Sequence, residues 1–451
     1  MKILFFSTNS NFFDTNIFRL QLPVHQFFWE RLVEKFPDDE FIVATQSPGM
    51  FLLDISGGKP INRNIYCGTI EKVRFEIIEP DDEDEIADFI ASFVPDVAVA
   101  ATFYVNPFDW LSIKDSIVAE KLSGKGVKVI CNPLETTVNC FDKWRTHQTL
   151  EKFGLSVAKA VYVHHELFIN GGNRREIKSN VYKSSVLEQI SHLHFPVVVK
   201  DTVGLSSYGM DVLETAAQVR DFLKSKRFTS DRIIEEYIEG FQFGTEIYGA
   251  DGNYAIMPPF IFSVNKYGIT SPKQSVKIGP VLDGNFSVKE LESELLRMSK
   301  CLNLSGVAQV DLVFCKDERK WYIIEINPRL SGMTETYSVL RGMSVYETLS
   351  WLAHGVMKKS VPEKKLVMNI KLPLLDSMTF SRLKSIPFVQ FVHQVENKAA
   401  KQIREKGYCE VVFTGSSKEE LSDNLEFLSE NFSSDMEESF VENAKKLLFF
   451  V

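Results

Sequence analysis

The residues best placed to do chemistry lie between Gly306 and Gly332, in GVAQVDLVFCKDERKWYIIEINPRLSG. A turn centred on Glu318 sets Asp311 directly opposite Glu325. Side chains along a strand alternate faces. Glu325, Asn327 and Arg329 therefore share one face, and Asp311 joins it from the neighbouring strand. Ile324 and Ile326 then point the other way, across from Val310 and Leu312. Two carboxylates and a carboxamide on one face, with an arginine beside them, are hard oxygen donors suited to Mg²⁺. That ion takes a few carboxylates from a protein and completes its octahedron with phosphate oxygens. An ordinary charged surface hairpin is the alternative. It fits less well, because the acids interrupt strongly apolar strands, VAQVDLVF and YIIEINP. An acid in such a strand is costly unless paired or metal-bound.

The run Glu325-Ile326-Asn327-Pro328-Arg329, with Asp311 ahead of it, resembles the metal-binding tail of the ATP-grasp superfamily, of the carboxylate–amine ligase type. The resemblance covers about residues 132–355. It implies that Asp311, Glu325 and Asn327 hold the metal and that Arg329 is catalytic. Arg329 would stabilise charge on the transferring phosphoryl group and on the later tetrahedral intermediate, an effect of roughly 3–4 kcal/mol for one well-placed donor. The implied cofactors are ATP and Mg²⁺, with two ions expected and Mn²⁺ able to substitute.

Further parts follow the order that the family has. Asp142-Lys143 opens a helix that is similar to one contributing a phosphate contact, which would be Lys143; alone, such a pair is common. Lys200 ends the apolar strand FPVVVK, where the matching lysine touches the α- and β-phosphates. Read alone, Lys200 is equally a strand-end lysine reaching for water. Thr202–Met210 (TVGLSSYGM) stands where a loop covers the phosphates, with Ser206, Ser207 and Gly209 as contacts. Small residues let backbone N–H groups approach phosphate closely; a plain surface turn competes with this reading. Residues 234–240 (IEEYIEG) resemble the strand under the adenine. Backbone groups of Glu236, Tyr237 and Ile238 would read its edge, and Glu235 would accept from its amino group. Gln242 stands where the family often has a ribose-binding Glu, and its amide can still donate and accept. Glu246, four residues on, would have a further polar role in the cleft. Lys273 or Lys277, in the polar stretch 262–280, would face anionic groups. An exposed loop is the plainer expectation for that stretch, because loops are polar in any case. Ser331 and Gly332 would help position the acyl substrate.

The reaction that this resemblance implies begins with attack of a substrate carboxylate on the γ-phosphate of ATP. The acyl phosphate then reacts with an amine, releasing phosphate and forming an amide bond. Small-molecule acids and amines are the expected partners. A bicarbonate-activating carboxylase is a second reading, and a non-catalytic ATP-binding scaffold is a third. No Met-Lys-Met biotin-carrier motif occurs, and binding alone does not need all four hairpin residues.

Elements must bring these residues together. Strands at 2–6, 40–45, 96–101 and 127–131 alternate with helices at 20–36, 86–93 and 116–123. That order predicts a parallel sheet covered on both faces, without the GxGxxG turn of a dinucleotide site. The fold class expected is α/β and α+β: an N-terminal parallel-sheet α/β domain over 1–131, an ATP-grasp domain over 132–358 with a lid at about 140–240, and a small C-terminal α+β domain over 359–451. Residues 173–185 read as polar and irregular. A helix is expected at 398–406.

The chain has 451 residues, enough for two or three packed domains. A net charge of −9 argues against a general nucleic-acid binder. Six cysteines, at 67, 131, 140, 301, 315 and 409, form no CxxC pair. They read as free thiols in a reducing, cytoplasmic compartment. The N-terminal apolar run is too short for a signal segment, and no stretch reaches the ~20 apolar residues of a membrane helix. A homodimer is the default assembly.

Overall fold

Runs such as KILFF and VAVA are apolar at consecutive positions, so their strands must be buried on both faces. In the computed structural model they pair as a five-stranded parallel sheet in the order Val73–Ile77, Glu40–Thr45, Lys2–Ser7, Val97–Ala100, Lys128–Ile130. The structure describes residues 1–8, 24–45, 55–56, 59–60, 71–102, 111–170, 179–203, 210–264, 275–282, 284–359, 361–362, 364–396, 407–432 and 436–451. Ile3 and Phe5 pack with Trp29 and Tyr346 on one side of the sheet. Leu4 and Phe6 pack with Ile86, Ile90 and Val118 on the other. Asp82 caps the helix Glu83–Ala91 by accepting from the N–H groups of Asp84 and Glu85, and Glu83, Asp84 and Glu85 place carboxylates in its first turn, where they are favoured. The expected helix at 398–406 lies outside the described residues.

Strand order reverses between Lys2–Ser7 and Val97–Ala100, and open α/β sheets leave a crevice at such a switch point. Asp115 is buried there, with Oδ1 accepting from Thr8 N at 3.2 Å and Thr8 Oγ1 at 2.6 Å. Burial outweighs these bonds and pushes its carboxyl from 3.8 up to about 6. A raised acid contributes stability that is complete below its unfolded value and is lost as pH rises through the folded one. At about 1.4 kcal/mol per pH unit the loss is roughly 3 kcal/mol. Asp115→Asn keeps an acceptor oxygen for both donors and cannot ionise. It should therefore gain about half of that relative to the native chain between pH 5 and 8, read as the difference in chemical denaturation at the two pH values. An equal dependence in both proteins would refute this.

A second, four-stranded antiparallel sheet has the order Asp211–Leu213, Val197–Asp201, Arg232–Glu236, Ala160–Val163. The helices Val181–Ser191 and Ala216–Lys224 pack on it through Val186, Ile190, Val219 and Phe222. The stretch expected to be irregular to residue 185 is thus helical from Val181. Its VYKSSVLEQIS sequence has weak helix propensity, but the Asn180 side chain caps it and the sheet buries two of its residues.

The third sheet is antiparallel and nine-stranded. Its order is Lys320–Asn327, Gly306–Cys315, Gly240–Ala250, Phe260–Phe262, Ser275–Gly279, Leu366–Leu372, Gly407–Gly415, Val389–Glu396, with Asn253–Ile256 also on Gly240–Ala250. Strands from 359–451 therefore extend this sheet rather than making one of their own. One face is apolar. Val310, Leu312, Ile326, Ile278, Ile370 and Val411 pack there under the helices Val288–Cys301 and Lys418–Asn431. Asn132 ties the N-terminal unit to the hairpin, donating to Val307 O at 2.9 Å and Pro328 O at 3.0 Å and accepting from Ser305 N at 2.9 Å. Of the described cysteines, Cys131, Cys140, Cys301 and Cys315 are free and Cys409 is buried; Cys67 lies outside the described residues. Among the described residues no helix is long and apolar enough to cross a membrane.

Candidate active site

The strands Gly306–Cys315 and Lys320–Asn327 pair Asp311 with Glu325, Val310 with Ile326 and Gln309 with Asn327. The register slips by one residue between Asp311 and Leu312. That bulge corrects the expected pattern on one point. Ile323, not Ile324, lies opposite Leu312 and fills the core, while Ile324 is half-buried. The extra residue lets a tight turn at 316–319 coexist with Asp311 facing Glu325.

The polar side chains of the hairpin form a chain of bonds. Arg329 Nη2 donates to Asn327 Oδ1 at 3.0 Å, Asn327 Nδ2 donates to Gln309 Oε1 at 2.8 Å, and Gln309 Nε2 donates to Asp311 Oδ1 at 2.6 Å. Burial, and then the facing Glu325, push the Asp311 carboxyl up to about 6. Burial acts on Glu325 in the same direction, but Lys143, Lys200 and Arg329 together hold it below its ordinary value. Lys143 Nζ stands 3.0 Å from Glu325 Oε1. Gln309 was not foreseen; its position two residues before Asp311 on one strand face could have signalled it.

Lys143 opens the helix Lys143–Lys152, capped by the Asp142 side chain accepting from Arg145 N at 2.9 Å. Its own N–H donates to Thr202 O at 2.7 Å, which fixes the entry to the loop beyond. Ser206, Ser207 and Gly209 of that loop lie outside the described residues, as does Lys273. Lys200 and Glu235 form a buried ion pair across neighbouring strands. Glu236 points elsewhere, accepting from His194 N at 2.9 Å, and its own N–H donates to Lys159 O. Tyr237 N donates to Pro196 O at 3.0 Å. The N–H groups of Glu236 and Tyr237 are thus both engaged within the fold. Gln242 is half-buried opposite Val313 on the strand Gly240–Ala250.

Alternation carries the hairpin's polar face across the whole sheet. Asp311 is opposite Gly244, Gly244 is opposite Phe260, Phe262 is opposite Lys277, and Lys277 is opposite Asn369. Lys277 corrects another expectation, because it belongs to the strand Ser275–Gly279 and not to an exposed loop. Its Nζ donates to Gly332 O at 3.2 Å and lies 5.3 Å from the Phe262 ring centroid. Burial, and then Lys371, bring its ammonium down to about 8. Glu246 is fully buried and accepts from Ser331 Oγ at 2.8 Å, Thr334 Oγ1 at 2.7 Å and the Tyr248 hydroxyl. These bonds anchor the turn that follows Arg329. Gly244 is required here, since a Cβ would stand 2.3 Å from Phe262 Cζ. Gly244→Ala should cost about 1–3 kcal/mol through overpacking, measured by denaturant unfolding. Trimming the ring in Gly244→Ala/Phe262→Leu should recover most of it; an additive loss would refute the contact.

Among the described residues no group of three or more His, Cys, Asp or Glu is arranged to hold a metal. The hairpin instead offers two carboxylates and the Asn327 carboxamide, whose oxygen has a second lone pair beside the bond from Arg329. Two facing carboxylates, one of them pushed up by the other, are a donor set that a divalent cation would relieve.

Residues 152–351 match the family model of the D-ala D-ala ligase C-terminus. A carbamoyl-phosphate synthase of Methanobrevibacter smithii is 24% identical over 173 residues, 38% of this chain and 46% of that protein. The chain spans less than half the length of the curated relatives it matches. The L-amino acid ligase of Bacillus licheniformis superposes with a TM-score of 0.63 at 14% identity, over 95% of this chain and 97% of that one. The biotin carboxylase domain of the Hydrogenobacter thermophilus 2-oxoglutarate carboxylase, solved with MgADP and bicarbonate, gives 0.60 at 12% identity over 96% and 90%.

Proposed function

From a chain with the ATP-grasp fold and a match to the ligase model over 152–351, we propose an ATP-dependent ligase that activates a carboxylate as an acyl phosphate and joins it to an amine. The observation that carries this is the pairing of Asp311 with Glu325 beside Lys143 and Arg329 on one sheet face. Likeness in fold to an amino acid ligase over nearly the whole chain supports it.

Mg²⁺ held by Asp311, Glu325 and Asn327 would neutralise the β- and γ-phosphates and fix the in-line geometry. The chain's own residues do the rest. Lys143 and Lys200 present ammonium groups to the polyphosphate from two different elements. The carboxylate oxygen attacks Pγ, the bond from Pγ to the bridging oxygen breaks, and ADP leaves. Arg329, already oriented by Asn327 and by Leu330 O at 3.3 Å, offsets charge on the phosphoryl group in flight and on the tetrahedral intermediate that the amine forms. Ser331 and Gly332 sit between that arginine and Lys277 and hold the turn in place.

The test is ADP release from the protein with ATP and Mg²⁺, in the presence of pooled carboxylic acids and amines or of bicarbonate. Turnover that needs an acid and an amine together supports the ligase. Turnover driven by bicarbonate alone favours the carboxylase reading, and ATP binding without turnover in any pool favours the scaffold. Arg329→Met should lower kcat about 10²- to 10³-fold while changing the KM for ATP little, as for a lost transition-state donor. Equal losses in binding and turnover would remove Arg329 from that role.

A further inference from the structure

Asp115 is a buried acid that neither the metal nor ATP needs. It stands in the crevice at the switch point of the parallel sheet, and the tail of the metal hairpin borders that crevice. Between them lies a small cavity, walled by Thr102, Asp115 and Asn132 on one side and by Gly306, Pro328 and Arg329 on the other. The two walls are tied together. Ser116, next to Asp115 on the helix Leu111–Gly124, donates from Oγ to Asn132 O at 2.7 Å. The Asn132 amide in turn holds Val307 O and Pro328 O. Asp115 and Arg329 thus line the same cavity from two units that are bonded to each other.

Asp115 is 3% exposed. Its carboxylate accepts from Thr8 N, Thr8 Oγ1 and the Thr102 hydroxyl, all neutral donors. A carboxylate has about four acceptor positions, so these bonds leave one open. Buried charges normally come paired, and a ligand with a cationic nitrogen would complete the pair. Burial outweighs the three bonds and the charge of Lys114, and raises the carboxyl to about 6. The group is therefore ionised at neutral pH and basic enough to accept a proton. Cys131, on the same wall, is no base, because burial and then the charge of Asp115 push its thiol up. A carboxylate at one wall and a guanidinium at the other suit one kind of step. A nitrogen gives up protons on the Asp115 side while negative charge builds on oxygen at the Arg329 side.

We propose that this cavity receives the attacking amine, and that Asp115 binds it as an ammonium and takes one of its protons. The inference rests on the ligase reading and assigns the site and the base of its second step. The ammonium gives a proton to Asp115, and the freed lone pair attacks the acyl carbon beside Arg329. The bond from that carbon to the phosphate oxygen then breaks. Phosphate leaves with the second proton of the nitrogen, the amide keeps the third, and Asp115 returns its own to solvent as the products depart. Open α/β sheets bind ligands in the crevice at the switch point, and this crevice leads to the arginine of the hairpin. The small size of the cavity suits a primary amine with an unbranched carbon next to the nitrogen.

Hydroxylamine separates this step from the one before it. At neutral pH it is already unprotonated, so it attacks an acyl phosphate without first surrendering a proton to a base. The protein is incubated at neutral pH with ATP, Mg²⁺ and pooled carboxylic acids, and with either hydroxylamine or one of methylamine, ethanolamine and glycinamide. Hydroxamate reports the acyl phosphate, and amide reports the whole reaction. Asp115→Asn keeps an acceptor oxygen for both Thr8 donors. It should lower amide formation about 10²-fold or more, the contribution of a positioned base, while hydroxamate formation changes less than about threefold. It should also raise the half-saturating amine concentration about tenfold or more and leave that of ATP within about twofold. An equal fall in amide and hydroxamate would mean that Asp115 only supports the hairpin, and amide formation at the native rate would remove it from the reaction. Either result overturns the proposal. Hydroxamate from the native protein with no amide from any of the three amines would also overturn it, while leaving the activation step intact. Absence of hydroxamate from every acid would overturn the ligase reading, and this inference with it.

Discussion

Glu325→Gln should give a folded protein whose ADP formation is lowered about 10³-fold or more. The substitution keeps volume and an acceptor oxygen but removes the charge. In the native chain that charge is held ionised against burial by Lys143, Lys200 and Arg329. Losing it takes away one of two carboxylates able to hold a divalent cation and releases Lys143 from its 3.0 Å contact. Deleting one preorganised donor costs about 10²–10³ in rate, and here a metal contact and the orientation of a lysine go together. Stability should fall little, because Asp311 is relieved of its like-charged neighbour. The checks are kcat from ADP release and the midpoint of thermal unfolding. Native turnover in the variant would remove Glu325 from the metal site, and an unfolded variant would mean that its role is structural.

The hairpin was legible because two independent signals agreed. Acids interrupt apolar strands, and period-two alternation with a local turn fixes which acids face each other. The bulge between Asp311 and Leu312 was not legible, since nothing in a run of apolar residues marks which one is extra. The parallel sheet could be read for the same local reason, continuous apolar runs between helices. The partition of the polar face could not. Asn369 and Lys371 interrupt LVMNIKL, and Glu410 interrupts YCEVVF, just as Asp311 interrupts its strand. What brings them onto the face that carries Asp311 is pairing between strands far apart in the chain, such as Asp311 with Gly244, Lys277 with Asn369 and Lys371 with Glu410. Glu335 was hidden differently. The helix Thr334–Arg341 is buried on nearly every side, with Thr334, Glu335, Thr336, Tyr337, Leu340 and Arg341 all enclosed, so the polar residues of TETYSVLR do not mark a solvent-facing side.

Lys200→Met should have the other large effect, and it separates two jobs that one residue performs. The Lys200 and Glu235 side chains are 8% and 12% exposed, so the pair is out of reach of solvent screening. Removing one partner of a buried pair leaves an uncompensated charge and costs about 3–5 kcal/mol, whereas replacing both with apolar groups is often neutral. The damage should concentrate in the four-stranded sheet, where Val197–Asp201 and Arg232–Glu236 are neighbours. Lys200→Met/Glu235→Leu should therefore recover most of the unfolding free energy lost in the single variant. ATP affinity should behave otherwise. Lys200 also contributes to holding Glu325 ionised, so its ammonium acts on the hairpin end of the cleft as well as on Glu235. That contribution is absent from both variants, and both should bind ATP at least tenfold more weakly than the native chain. Denaturation and equilibrium ATP binding on the three proteins decide it. If the double variant regains ATP affinity along with stability, Lys200 only holds the strands together, and the phosphate role passes to Lys143 alone.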